Sequence, residues 1–163
     1  MVALNKRNKG FTIVELLIVI VVIGILALIT ITTFTGVTAK ARNTERQADI
    51  KAIHGQIEAF RAEKGYYPTL AHINDYAGWV NTNMKGLDKE ALKDPGNTAT
   101  DGTEYQLSAS SSTNVYQYKV GSTAALDSSA LSACATTEST CMYYTLTSTL
   151  ENGAGTFSKA NLQ

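Results

Sequence analysis

The pattern of hydrophobic and polar positions changes character near residue 40. From Leu16 to Ala39 the chain has 24 consecutive positions without a charged residue. As an α-helix, this stretch is about 36 Å long at about 1.5 Å per residue, whereas the hydrocarbon core of a bilayer is about 30 Å thick. The pattern therefore predicts a helix that can span a membrane.

Two other interpretations of this stretch fit less well. A buried helix of a soluble domain would need further long apolar helices around it, and the sequence contains none. A secretory signal peptide would explain the basic start at Lys6, Arg7 and Lys9, but its apolar region is usually shorter, and residues 39–41 match its cleavage site only superficially. The basic cluster instead predicts a cytoplasmic N-terminus and a C-terminus outside the membrane.

A second helical pattern follows directly. Ile50, Ile53, Ile57 and Phe60 recur at intervals of three and four, which places them on one apolar face among charged neighbours. No helix breaker separates the two patterns between Ile29 and Lys64, so they predict one helix of about 50 residues, lipid-facing first and amphipathic second.

The amphipathic stripe does not extend to the start of this second pattern. Before Ile50 its positions hold Asn43 and Arg46. We therefore expect this part of the helix to have no core to pack on.

Strand patterns occur only in the second half of the chain. Three runs have strand character: "EYQLS" from Glu104, "VYQYKV" from Val115 and "MYYTLTSTL" from Met142. In the second run, Tyr116, Tyr118 and Val120 alternate with more polar residues. No helical pattern connects the runs, so they predict a small antiparallel sheet covered by the helix stripe, which is an α+β fold.

The connection between helix and sheet is rich in turn-forming residues, notably in "DPGNTATDG". Asp94, Asn97 and Asp101 could supply oxygen ligands to calcium, but their spacing matches no established calcium loop. Calcium binding by these three residues is therefore an alternative to a plain turn, and the sequence otherwise predicts neither a metal nor a cofactor.

The formal net charge of the chain is zero, with 14 basic and 14 acidic side chains. Three of the basic side chains precede Gly10, which leaves 11 basic against 14 acidic side chains in the remainder. A mildly acidic body lacks the basic surface that nucleic-acid binding requires, so nucleic acid is not an expected partner.

The two cysteines, Cys134 and Cys141, predict a disulfide, because the body of the chain is expected outside the membrane in an oxidising compartment. A zinc site is disfavoured, since His54 and His72 have no partner at ligand spacing. No phosphate-binding loop, metalloprotease motif or serine-hydrolase motif is present, so the sequence does not predict an enzyme.

The segment "KGFTIVEL", residues 9–16, resembles the processing motif of type IV pilins and pseudopilins. The resemblance implies cleavage between Gly10 and Phe11 by a membrane peptidase that also methylates the new N-terminus of Phe11. It further implies that Glu15 takes part in assembly, by pairing with the amine of Phe11 that cleavage creates. The alternative for Glu15 is a side chain that simply reaches the headgroup level.

The resemblance also implies an organisation for the whole chain. We expect a leader at 1–10, a transmembrane and polymerisation helix at 11–39, an amphipathic helix at 40–64, an αβ-loop region at 65–103, and an antiparallel sheet with a C-terminal disulfide loop at 104–163.

The implied function is a structural subunit of an extracellular type IV pilus that serves adhesion or twitching motility. Its implied partners are other pilin subunits in a helical homopolymer, a prepilin peptidase, an assembly platform in the cytoplasmic membrane and, before assembly, membrane lipid. The alternative is a pseudopilin of a type II secretion or DNA-uptake machine. A membrane-anchored enzyme is the third hypothesis, and no catalytic motif supports it.

Overall fold

The structure is a computed structural model that describes residues 10–124, 134 and 138–162, with the backbone alone at residues 31–33. The leader up to residue 9 and most of the predicted cysteine loop lie outside the described residues. The chain divides into two compact units, of which the first ends at Thr38 and the second begins at Ala39.

One long helix and a small sheet form the main elements. The helices are α1 (Ile13–Lys64), α2 (Leu70–Asn74) and α3 (Asn81–Asn83), with a π-helical turn at Tyr76–Val80 and 3-10 turns at Lys89–Leu92, Thr103–Tyr105 and Glu138–Thr140. The strands are β1 (Gln117–Gly121), β2 (Tyr143–Thr149) and β3 (Thr156–Ala160). The predicted α+β fold, a long N-terminal helix with a small antiparallel sheet, is confirmed.

Helix α1 contains 52 residues, as the uninterrupted helical pattern predicted. It ends where Gly65 adopts a φ of +86°, a left-handed conformation that glycine reaches without a steric penalty. The amide of Gly65 still bonds to the carbonyl of Arg61 at 2.7 Å, which closes the last turn.

The sheet has the order β1-β2-β3, and both pairings are antiparallel. Tyr118 of β1 lies opposite Leu146 of β2, which lies opposite Lys159 of β3. Side chains along β1 and β2 alternate between buried and half-buried positions, as a strand with one covered face requires.

The core lies between the second half of α1 and the sheet. The four stripe residues of α1 are at most 3% exposed, and they pack in one cluster with Tyr118, Tyr144 and Leu146. The predicted cover of the sheet is therefore confirmed. Segments from α2 to the second 3-10 turn add buried residues such as Ile73 and Leu92.

The prediction of a strand at "EYQLS" is wrong. Residues Thr103–Tyr105 form a 3-10 turn, and only Ser108 makes an isolated bridge to Gln117. The third strand is instead β3, near the C-terminus, whose small and polar residues gave no strong strand pattern.

The expectation that α1 has no core before Ile50 is also wrong. Arg46 is 1% exposed and Asn43 is half-buried. Arg46 is buried because carboxylates from two distant segments surround its guanidinium group, so a polar cluster takes the place that apolar residues would fill in an ordinary stripe.

Candidate assembly site

The first compact unit carries an apolar surface that nothing within the described chain covers. Phe11 is 87% exposed, and large apolar side chains along α1 remain exposed through Val37. Within the described residues, α1 is the one helix long and apolar enough to cross a membrane, and its most apolar window is 0% buried. Such a surface requires a partner, either lipid or other apolar helices.

Glu15 and Thr12 hold the start of α1 together. The backbone amide and the hydroxyl of Thr12 donate to Glu15 Oε2 at 2.8 and 2.7 Å, and the Glu15 amide lies 3.3 Å from Thr12 Oγ1. The Leu16 amide makes the first helical bond, to the Thr12 carbonyl at 3.2 Å. This reciprocal arrangement is a capping box, in which the side chains of the N-cap residue and of the third helical residue satisfy free amides.

Thr12 is a capping residue of this site that the sequence interpretation missed. Its signal was present, because "TIVE" has the Ser/Thr-x-x-Glu spacing of a capping box ahead of an apolar run. The carboxylate of Glu15 therefore already has hydrogen-bond donors in a single chain, before any neighbouring subunit supplies one. It also lies at the positive end of the helix dipole, which stabilises a negative charge.

The predicted cleavage site lies just ahead of the helix. Gly10 and Phe11 are exposed, and neither belongs to a helix or strand. An exposed, non-helical peptide bond is what a protease needs in order to bind the chain in an extended form.

Thr30 and Thr38, in the outer half of the apolar stretch, fit a regular helix. Thr30 and Thr38 donate their hydroxyls to the carbonyls of Leu26 and Phe34 at 2.8 and 2.9 Å. These bonds to the preceding turn satisfy polar groups that would be costly in lipid.

In the second unit, a polar cluster that we call the Arg46 network joins α1 to two distant segments. Arg46 donates to Asp94 from Nε at 2.7 Å and from Nη2 at 2.8 Å. Its Nη1 donates to Glu151 Oε1 at 2.8 Å, and Glu151 also accepts two hydrogen bonds from Arg42. Asn43 completes the network, because its amide group exchanges hydrogen bonds with the backbone of Glu151.

The charges of the Arg46 network stabilise one another. The Arg42 guanidinium, followed by that of Arg46, lowers the pKa of Glu151 to about 2. The hydrogen bonds to Asp94 raise the pKa of Arg46 above its already high value, although burial opposes this shift. Glu151 and Arg46 therefore remain ionised at any physiological pH, and their ion pair fixes the turn between β2 and β3 against α1.

The residues of the calcium alternative have other partners. Both carboxylate oxygens of Asp94 accept hydrogen bonds from Arg46. Asn97 Oδ1 accepts from the Ala99 amide, and Asp101 Oδ1 accepts from Thr103. Within the described part of the chain, no three His, Cys, Asp or Glu side chains are grouped so as to hold a metal ion, and this geometry gives calcium no support.

Cys134 and Cys141 form a disulfide, as the cysteine pair predicted. Both are at most 1% exposed, and the carbonyl of Cys141 accepts a 2.8 Å hydrogen bond from the amide of Tyr67. This hydrogen bond connects the disulfide-bonded segment before β2 with the segment that follows α1.

Comparisons with known proteins agree with this geometry. Residues 5–31 match the family model of the prokaryotic N-terminal methylation motif. Over 73 residues, which are 45% of this chain, the sequence is 40% identical to the type IV major pilin protein PilA of Myxococcus xanthus (strain DK1622). The match spans about a third of that relative's length, 33%. No solved structure matches the chain significantly.

The methylation motif thus coincides with the capped start and the exposed apolar part of α1. The stretch of 40% identity adds a relative that is named as a type IV major pilin. These findings confirm the resemblance of this chain to the type IV pilins.

Proposed function

We propose that this chain is a structural subunit of a type IV pilus. It is cleaved between Gly10 and Phe11, methylated at the amine of Phe11 and assembled into an extracellular fibre for adhesion or twitching motility. One observation carries the proposal: the methylation motif lies on a helix whose apolar side chains are exposed, with Glu15 as its one charged residue before Lys40.

Burial of this apolar surface stabilises the subunit both in the membrane and in the fibre. Removing apolar surface from water contributes about 25 cal/mol per Å², so a helix this exposed is strongly driven to find cover. Before processing, lipid covers it, and the basic residues ahead of Gly10 remain on the cytoplasmic side. After processing, the apolar helices of other subunits provide the cover in a helical homopolymer.

Glu15 determines how neighbouring subunits align. A carboxylate in an apolar environment costs several kcal/mol unless it is paired or hydrogen-bonded. Thr12 meets part of this requirement within one chain. In the fibre, the positive amine of a neighbouring Phe11 completes the pairing and favours one axial register of the helices.

Processing and assembly require two further partners. A prepilin peptidase removes residues 1–10, and an assembly platform in the cytoplasmic membrane moves subunits from the lipid into the fibre. The second unit, with its sheet and Arg46 network, then faces outward and forms the fibre surface. The chain acts as a structural subunit rather than an enzyme.

Immunoelectron microscopy of cells that express the chain tests this function. Antibodies against the second unit should label long surface fibres along their whole length, and an otherwise identical strain without the chain should lack these fibres. Label that is confined to the cell envelope, on cells whose long fibres persist without the chain, would instead identify a pseudopilin of a secretion or DNA-uptake machine.

A further inference from the structure

The hydroxyl of Tyr144 in β2 lies between two groups of α1. Its oxygen is 2.5 Å from His54 Nδ1 and 3.0 Å from Glu58 Oε1. The side chain of Tyr144 is 0% exposed, and its ring packs against Tyr67 and Tyr118 at centroid distances of 4.6 and 5.7 Å. Because the ring is buried and fixed, its hydroxyl must satisfy its hydrogen-bonding capacity with His54 and Glu58.

The number of protons limits how these three groups can bond. Burial raises the pKa of Tyr144 far above physiological pH, so the phenol keeps its one proton. Tyr144 can therefore donate to one neighbour only, and the other neighbour must donate to Tyr144. The donor is either His54, through a proton on Nδ1, or Glu58, through a protonated carboxyl group.

The surroundings of Glu58 identify the donor. The Tyr67 hydroxyl lies 3.2 Å from both carboxylate oxygens, and the Leu162 amide donates to Oε1 at 3.2 Å. A proton on Oε1 would face the hydrogens of that amide and of Tyr67. Since its neighbours are donors, Glu58 acts as an acceptor.

We infer that Tyr144 donates to Glu58 and accepts from His54, so that neutral His54 is held as the Nδ1–H tautomer and takes up its next proton at Nε2. In water, neutral histidine prefers the other tautomer, with its proton on Nε2. The chain of hydrogen bonds from His54 through Tyr144 to Glu58, which we call the His54 relay, thus selects the form that is minor in solution.

The His54 relay gives the contact between α1 and β2 a defined response to acid. Protonation at Nε2 leaves the Nδ1–H bond to Tyr144 intact, so the contact persists when the ring becomes charged. Partial burial lowers the pKa of His54, Glu58 on α1 opposes this shift, and Lys159 on β3 adds to it. The charged ring therefore costs some stability as the pH falls below the ordinary histidine pKa of about 6.5, although the hydrogen bond survives.

Nitrogen NMR of the full-length chain in detergent micelles, labelled with 15N-histidine, tests the inference directly. The chain has two histidines, and His54→Gln identifies the signals of His54 by their loss. Above pH 8, Nδ1 of His54 should carry the proton and Nε2 should have the shift of an unprotonated nitrogen. On acidification, Nε2 should titrate while the Nδ1 proton is retained. A proton on Nε2 above pH 8 would overturn the inference.

A pair of tyrosine variants shows whether Tyr144 is the cause. Tyr144→Phe removes the acceptor, so His54 should shift towards the Nε2–H tautomer. Tyr143→Phe, on the neighbouring half-buried position of β2, should leave the tautomer unchanged. If His54 keeps the Nδ1–H form in a folded Tyr144→Phe chain, the relay is wrong. If that variant does not fold, the wild-type tautomer alone decides.

Discussion

Arg46 and Asp94 form a bidentate ion pair that is almost completely buried. The two nitrogen–oxygen distances are 2.7 and 2.8 Å, and the side chains are 1% and 2% exposed. The pair connects α1 with a segment 48 residues further along the chain. It thereby fixes the αβ connection against the helix at a position where an amphipathic stripe would place an apolar residue.

Loss of Arg46 should strongly destabilise the second unit. Arg46→Ala leaves the buried carboxylate of Asp94 without its partner, and removing one member of a buried pair costs about 3–5 kcal/mol. The measurement is urea unfolding of the full-length chain in detergent. Arg42→Ala is the matched control, because Arg42 is 37% exposed and its loss should destabilise the unit much less than the loss of Arg46. Equal losses in the two variants would show that burial does not set the contribution of Arg46.

Asp49 should make the stability of the chain depend on pH in the opposite direction to most carboxylates. Burial is the main cause that raises the pKa of Asp49 to about 6, with smaller contributions from Glu45, Asp94 and Asp88, against a 2.6 Å hydrogen bond from Tyr116. Because the folded pKa lies above the unfolded value of 3.8, the folded state binds the proton more tightly. The stability that this protonation adds to the folded state is fully present below about pH 4 and is lost as the pH rises through 6.

The Asp49→Asn variant isolates this effect. The free energy of unfolding of this variant minus that of the wild-type chain should be larger at pH 8 than at pH 4. The increase should be on the order of 1 kcal/mol once solvent screening is allowed for. Unfolding curves of both chains across this range measure the difference. Glu45→Gln, at an exposed position of the same helix, serves as the control and should show a smaller change. A pH-independent difference for Asp49→Asn would contradict the assignment.

The disulfide should contribute measurably to stability. The bridge joins residues separated by 7 positions, and a loop of this size stabilises by about 2.5 kcal/mol in the chain-entropy model. Cys134→Ser with Cys141→Ser should lower the free energy of unfolding by about this amount, and the variant should no longer respond to reductant. If reductant destabilises the double variant as much as the wild-type chain, the effect does not arise from this bridge.

Variants of Glu15 and Thr12 should separate the two roles of the carboxylate. Glu15→Ala removes both the cap and the charge, whereas Thr12→Ala removes the capping hydroxyl, at about 0.5–2 kcal/mol of helix stability, and keeps the charge. We expect fibre yield to fall sharply for Glu15→Ala and Glu15→Gln but only slightly for Thr12→Ala. Fibre yield is measured from sheared surface material, with membrane levels of each variant as the control. Equal losses for Glu15→Ala and Thr12→Ala would assign Glu15 to the cap alone.

The long helix and its packing could be predicted from sequence because each has a strong periodic signal. The apolar stretch from Leu16 to Ala39 is too long for a strand. The stripe from Ile50 to Phe60 has the three- and four-residue spacing of a helix and does not alternate as a strand would. Strand β1 likewise alternates clearly, with Tyr118 and Val120 buried, and Tyr116 directly before the strand is buried as well.

The features that sequence analysis missed depend on contacts between distant residues. Strand β3 contains one large apolar residue, Phe157, and forms because β2 offers an edge for pairing. Arg46 resembles a surface residue until Asp94 and Glu151 are brought to it by the fold. Thr12 differs from these, because its capping signal is local and could have been recognised.

Mass spectrometry of sheared surface fibres tests the central claim most directly. The account predicts that the fibres consist mainly of this chain, that its N-terminal peptide begins at Phe11, and that the amine of Phe11 carries a methyl group. A fibre-borne chain that retains residues 1–10, or that begins at another residue, would contradict it.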